Sequence, residues 1–186
     1  MAEAGHDVLI VEKKVFPRDK TCGDGLTPRA VRQLQDMGLE HRLEDHHRYD
    51  GLRAVAHGVT LELNWPDHPR FPNYGYVVRR RDLDEFVADH AVKAGAQLRT
   101  GVEAVRPVLR DGLVAGAVVK DKESGQTEEI LARYVVIADG ANSRFGRALG
   151  TARDRTYPQG MAIRGYYESP LHDTPWIESA LDVRDR

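Results

Sequence analysis

Apolar positions along the chain fall into two alternating patterns. Asp7-Val8-Leu9-Ile10-Val11-Glu12 is a continuous β-branched run that stops at a carboxylate, which predicts a buried strand of the parallel type. Ahead of it, an alanine-rich stretch ending at Gly5 reads as the last turn of a helix with its terminal glycine. Thr27-Pro28 supplies an N-cap and a first-turn proline, Val31 and Leu34 share a face, and Gly38 follows Met37; together they predict a helix over 28–37. A second helix starts with Asp82 as N-cap and Glu85 at capping-box spacing. It carries Leu83, Phe86, Val87, His90 and Ala91 on one face and stops at Gly95. Between the helices, 52–56 and 59–63 flank His57-Gly58 as a hairpin, and 76–78 resumes an extended run. Strands are also predicted at 97–100, 103–109, 113–120, 128–131, 134–138 and 161–167, with a short helix over 144–149 closed by Gly150. Parallel-type runs, helices and hairpins in this order make the fold class α/β.

The segments between these elements hold most of the candidate chemistry. Lys13 to Leu26 is too punctuated by proline and glycine for regular structure and long for a strand-to-helix connection. Loops of that kind in compact domains are commonly functional, because ordering them is entropically costly. His41, His46 and His47 lie in an aperiodic stretch that reads as a solvated polar turn; metal ligation is the alternative, without a cysteine or carboxylate spacing to complete it. The proline and aromatic tract from Trp65 to Tyr76 reads as a packed connector or as the wall of an apolar pocket. Asp139-Gly140-Ala141-Asn142-Ser143 joins an apolar run to a helix start, an arrangement that presents backbone N–H groups to phosphate.

Composition narrows the partners. Lysine plus arginine number 27 against 29 aspartate plus glutamate, a formal net charge of −2, so no chain-wide basic field exists for nucleic acid or an anionic membrane. The single cysteine excludes an intrachain disulfide and fits a reducing, cytoplasmic compartment. No apolar run approaches the length of a membrane span, which leaves peripheral contact at the membrane surface as the expected mode of any membrane encounter. In a dinucleotide-binding βαβ unit the ribose-binding acid follows the first fingerprint glycine by about 20 residues. If Glu12 is that acid, the glycine loop falls before Met1; the alternative is a surface glutamate after any parallel strand. The chain is thus expected to start inside a helix and to stop with no capping element.

Three pieces in this order, Val8-Leu9-Ile10-Val11-Glu12-Lys13, Tyr76-Val77-Val78-Arg79-Arg80-Arg81-Asp82-Leu83-Asp84 and Val135-Val136-Ile137-Ala138-Asp139-Gly140-Ala141-Asn142-Ser143, resemble the FAD-binding fold shared by aromatic hydroxylases. Within that group, Lys20-Thr21-Cys22-Gly23-Asp24-Gly25-Leu26 followed by Pro28-Arg29-Ala30 is similar to the geranylgeranyl reductase family. The resemblance implies a partial Rossmann-like FAD-binding domain over 1–50 and 80–155. An inserted, mainly antiparallel β substrate domain would be built in part from 51–79 and 156–186.

It also implies FAD as cofactor. Glu12 would bind the adenosine ribose, Arg80 would sit near the diphosphate and ribityl chain, and Asp139 and Gly140 would form the turn by the cofactor. Cys22, Gly23 and Gly25 would lie in the loop approaching the isoalloxazine, with Cys22 linked to activity; the alternative for Cys22 is a small thiol in a glycine turn. Arg29 would face the cofactor phosphates or solvent. The implied reaction is reduction of isoprenoid carbon–carbon double bonds, in a geranylgeranyl lipid or a menaquinone, by an oxidoreductase drawing on NAD(P)H or a redox protein. A flavin monooxygenase or halogenase is the rival within the same fold, and a non-catalytic fragment is the rival outside it. The chain departs from the family in lacking the glycine fingerprint, the second Gly-Asp segment and the Tyr/Trp/Phe-Pro motif of the substrate channel, which Trp176 does not match.

Overall fold

A computed structural model describes residues 1–151, 156–158 and 160–182. Its strands are β1 (Leu9–Glu12), β2 (Gly25–Leu26), β3 (His47–Tyr49), β4 (Gly51–Ala56), β5 (Val59–Asn64), β6 (Gly75–Val77), β7 (Gln97–Thr100), β8 (Val102–Arg110), β9 (Leu113–Asp121), β10 (Thr127–Leu131) and β11 (Trp176–Ala180). Its helices are α1 (Pro28–Asp36), α2 (Arg80–Lys93) and α3 (Arg144–Ala148), with 3₁₀ turns at Ala2–Ala4 and Glu40–Arg42. The chain forms two compact units, one from 1–18 with 87–161 and the other from 19–86 with 162–186.

In the first unit, β1 pairs in parallel with β7, Leu9 opposite Gln97 and Glu12 opposite Thr100. The connection between two parallel strands must cross over, and α2 supplies the helical return just before β7. β8, β9 and β10 form an antiparallel sheet with β9 in the middle. α3 and β1 both contact β8, and Val102, Val108, Val118, Val119 and Phe145 are buried. The reversal between β8 and β9 puts Asp111 at φ 52° and Gly112 at φ 78°, the paired left-handed residues that a two-residue hairpin turn requires.

In the second unit, β6 lies between β2 and β3, and β4 lies between β5 and β11. The 52–56 and 59–63 hairpin is present as β4 and β5, Ala56 opposite Val59, with His57 at φ 51° and Gly58 at φ 75° in its turn. Helix α1 presents Val31 and Leu34 to β2 and β6, and Leu39, Leu43, Tyr49, Val78 and Phe86 complete the buried set. Tyr49 buries its ring fully and still donates its O–H to the Leu26 carbonyl at 3.0 Å, so no polar group is stranded there.

Several expectations are corrected. Helix α2 starts at Arg80 rather than after Asp82, because the Asp24 carboxylate, 56 residues away, accepts the Arg80 N–H at 2.9 Å and does a local N-cap's work. His47 belongs to β3, not to a polar turn, and its Nε2 is bonded to the Thr174 carbonyl oxygen at 2.8 Å. Residues 134–138 form no strand. A parallel strand exists only as part of a ladder, and no ladder partner occurs among the described residues; Tyr134 is 83% and Val136 75% exposed. Residues 161–167 likewise pair with no strand among the described residues, and their Arg164 and Tyr166 turn to a loop instead. Strand β11, in a stretch where the sequence predicts no element, pairs in parallel with β4, Trp176 opposite Gly51.

Candidate functional site

The residues singled out by sequence divide between the two units. In the first, Glu12 ends β1 and is partly buried. One carboxylate oxygen accepts the Lys14 backbone N–H at 3.0 Å and the other accepts the Arg18 guanidinium at 3.0 Å. A glutamate pinned at both oxygens has one orientation, yet an ionised carboxylate offers more lone-pair directions than two bonds consume. Asp139 is exposed at the turn before α3, and Gly140 follows with φ 86°, a conformation that glycine adopts without a Cβ penalty. The Gly140 carbonyl accepts the Ser143 N–H at 3.0 Å, and the Ser143 hydroxyl in turn accepts the Gly146 N–H at 2.6 Å, so the turn is locked to the start of α3.

In the second unit, Cys22, Gly23, Gly25 and Arg80 converge on one loop. Cys22 is exposed. A Cβ built on Gly23 would meet nothing within 4 Å, so the backbone there is open on its outer side. Gly25 differs: a Cβ would lie 2.8 Å from Ile177 Cδ1, so the unit's own packing uses the space that this glycine leaves. The Arg80 guanidinium is committed to its own helix, donating to both oxygens of Asp84 at 2.8 and 3.0 Å, while its amide holds Asp24. Arg29 directs its guanidinium towards the Phe71 ring, 5.9 Å from the centroid.

Three side chains to which the sequence assigns no role gather at this loop. Asp24, between two glycines of the motif, accepts the Arg80 amide and the Arg164 guanidinium (3.2 Å) on one oxygen, and the Tyr166 hydroxyl (2.8 Å) on the other. Arg164 also donates to the Lys20 carbonyl at 2.7 Å and the Cys22 carbonyl at 3.4 Å. Desolvation and the bond to Asp24 raise the Tyr166 phenol above its ordinary value. Arg164 and Arg79, with guanidinium carbons 4.8 and 5.1 Å from the ring centroid, pull the other way. The only signal available was the two-residue spacing of Arg164 and Tyr166, which places both on one side of an extended segment. Nothing local points from there to a loop 140 residues earlier.

A family model for an FAD binding domain matches residues 1–164. Menaquinone reductase of Mycobacterium tuberculosis is 42% identical over 183 residues, which is 98% of this chain and 44% of that protein. The geranylgeranyl bacteriochlorophyll reductase-like protein of Thermoplasma acidophilum superposes with a TM-score of 0.68 at 26% identity, over 80% of this chain and 37% of that one. The myxobacterial chondrochloren halogenase, an FAD-dependent enzyme, superposes with a TM-score of 0.72 at 24% identity over 79% of this chain and 35% of its own, a likeness of fold alone. The chain spans less than half the length of curated relatives such as this menaquinone reductase. With a carboxylate at the end of a parallel strand, an Asp-Gly turn locked to a helix and the matched family model all in place, the chain belongs to the FAD-binding domain family.

Proposed function

We propose that this chain is the FAD-binding part of a reductase that saturates carbon–carbon double bonds in the isoprenoid chain of a quinone or lipid. The observation that carries the reading is the 42% identity to a menaquinone reductase across 98% of this chain, a span that includes the entire Cys22 loop. The residues present fit the cofactor chemically. Glu12 keeps acceptor capacity for ribose hydroxyls after its two protein bonds, and the Asp139-Gly140 turn is fixed in place by Ser143. Gly23 leaves the loop backbone open to a flat ring, and Cys22 stands exposed beside it. FAD, when bound, supplies the two-electron chemistry of alkene reduction.

The chain's own contribution is binding and orientation. Arg18 and Lys14 hold Glu12 in one rotamer, which removes the ordering cost of that side chain at the moment of binding. Arg80 acts through its amide and through the start of α2, its guanidinium being committed to Asp84. Among the described residues no helix is long and apolar enough to cross a membrane. In this reading an isoprenoid substrate is reached at the membrane surface, with NAD(P)H or a redox protein as the external donor and the cytoplasm as the compartment.

The test is anaerobic turnover. Protein reduced chemically without oxygen and given menaquinone should return a product that, after its ring is reoxidised to the quinone, stays heavier by two hydrogens in the isoprenoid chain, and oxygen admitted during turnover should lower the yield by consuming reduced cofactor. A product that gains oxygen, formed only in air, would replace the reductase reading with a monooxygenase.

A further inference from the structure

We propose that Arg164, Asp24 and Tyr166 form a clamp that positions the Cys22 loop, so that Arg164 is a positioning residue for the reaction at that loop. The functional half of the inference rests on the reductase reading above; the clamp itself does not. Every component lies in the second unit.

The loop lacks regular structure of its own. Residues 19–24 form no helix or strand, so few regular backbone bonds offset the entropy of fixing them. The bonds come from a distant segment. A single guanidinium, 20% exposed, gathers the carbonyls of Lys20 and Cys22 and the carboxylate of Asp24, with the Asp19 carboxylate at 3.7 Å. All three bonds leave one terminal nitrogen, Nη1, whose two hydrogens are shared among the three acceptors, while Nη2 faces the Asp19 carboxylate. Asp24, 11% exposed, then passes the restraint on to the Arg80 amide and the Tyr166 hydroxyl, while its own carbonyl accepts the Val78 N–H at 2.8 Å.

The direction of these bonds is the informative part. Clamp bonds are made to the backbone of residues 20 and 22 and to the side chain of residue 24. The Cys22 side chain is exposed and the bare Cα of Gly23 faces open space. A clamp built only to stabilise the fold would bury the loop's reactive side chain along with its backbone. This one fixes the backbone and leaves the thiol and the glycine free, the arrangement needed to hold them within a fraction of an ångström of a ligand.

Cys22 is the chain's only cysteine, so a nitroxide attached to it reports loop motion alone. Arg164→Ala and Asp24→Asn should narrow the electron paramagnetic resonance lines, and Tyr166→Phe, which deletes one hydroxyl and leaves the ring, should narrow them less. Arg81→Ala, at an exposed side chain, serves as the control and should leave them unchanged. In unlabelled, FAD-loaded protein, Arg164→Ala should lower kcat about tenfold or more with FAD affinity held within about twofold, since misplacement of a positioned group falls on the chemical step. Unchanged lines in folded Arg164→Ala and Tyr166→Phe proteins would overturn the clamp. Narrowed lines with an undiminished kcat would overturn its positioning role. If the parent gives no menaquinone with a saturated isoprenoid double bond, the reductase reading fails, and the resonance result still decides the clamp.

Discussion

Glu12 has a structural task in the fold, and the proposed function gives it a binding task as well. Its two carboxylate oxygens are each engaged by the protein, by Lys14 and Arg18, and an ionised carboxylate keeps further acceptor capacity that the proposed ribose contact would use. Glu12→Ala should therefore weaken FAD binding by about 1.5–3 kcal/mol, roughly 10- to 150-fold, readable as a rise in the dissociation constant from flavin fluorescence. An unchanged constant would return Glu12 to an ordinary surface glutamate. Cys22→Ser should have the opposite profile, lowering turnover while leaving FAD affinity near the parent's, because the group lies at the loop and not at the ribose. Tyr166 gives a pH signature. The neutral phenol donates to Asp24, and its ionisation is raised, so the bond is fully present below about pH 10 and is lost as pH rises through the higher folded value. The difference in phenolate absorbance between parent and Tyr166→Phe should titrate above the ordinary tyrosine range; a midpoint at or below it would contradict the bond.

At the scale of elements, three sheets share a device. Each three-stranded sheet has a glycine in its middle strand: Gly51 in β4, Gly75 in β6 and Gly116 in β9. A Cβ on Gly116 would overlap the Ile130 carbonyl oxygen, one on Gly75 the Tyr49 ring and the Leu26 carbonyl, and one on Gly51 the Leu63 carbonyl. Gly116→Ala should cost about 1–3 kcal/mol, seen as a lower midpoint in thermal circular dichroism, since the obstructing atom is backbone and cannot rotate away. These glycines were invisible as such in the sequence, where each lay at the edge or inside an otherwise ordinary run. Hairpins, by contrast, were legible because their information is local: His57-Gly58 and Asp111-Gly112 carry the left-handed turn in two adjacent residues. The start of α2 was not, because its capping group sits on a loop 56 residues upstream. Residues 134–138 misled for the same reason, since an apolar run shows that a strand could form but not what it would pair with. At the candidate site, the loop and its cysteine could be read from motif and punctuation, whereas Arg164 and Tyr166, which hold it, could not.

For the whole molecule, both tryptophans, Trp65 and Trp176, fall in the second unit, so tryptophan fluorescence observes that unit alone. Helix α2 is continuous across the boundary after Phe86, and its melting removes a helix that both units use. Gly116→Ala, a change confined to the first unit, should therefore lower the fluorescence midpoint as well as the circular dichroism midpoint. Coincident transitions would mark one cooperative unfolding event, and a fluorescence curve that stays in place would show two independent ones.

The parallel ladder of β1 with β7 has a consequence for biosynthesis. Leu9 waits for Gln97, and the intervening chain belongs largely to the other unit, which itself draws on residues beyond 162. At about 5–20 residues per second, the ribosome leaves the edge of β1 that faces β7 without that partner for roughly 4–18 seconds, far longer than a chain needs to collapse. During that interval Val8 to Val11 is an open template for a neighbouring nascent chain. Yield in a foreign host should accordingly depend on chaperone supply and growth temperature more steeply than the stability of the finished protein would suggest.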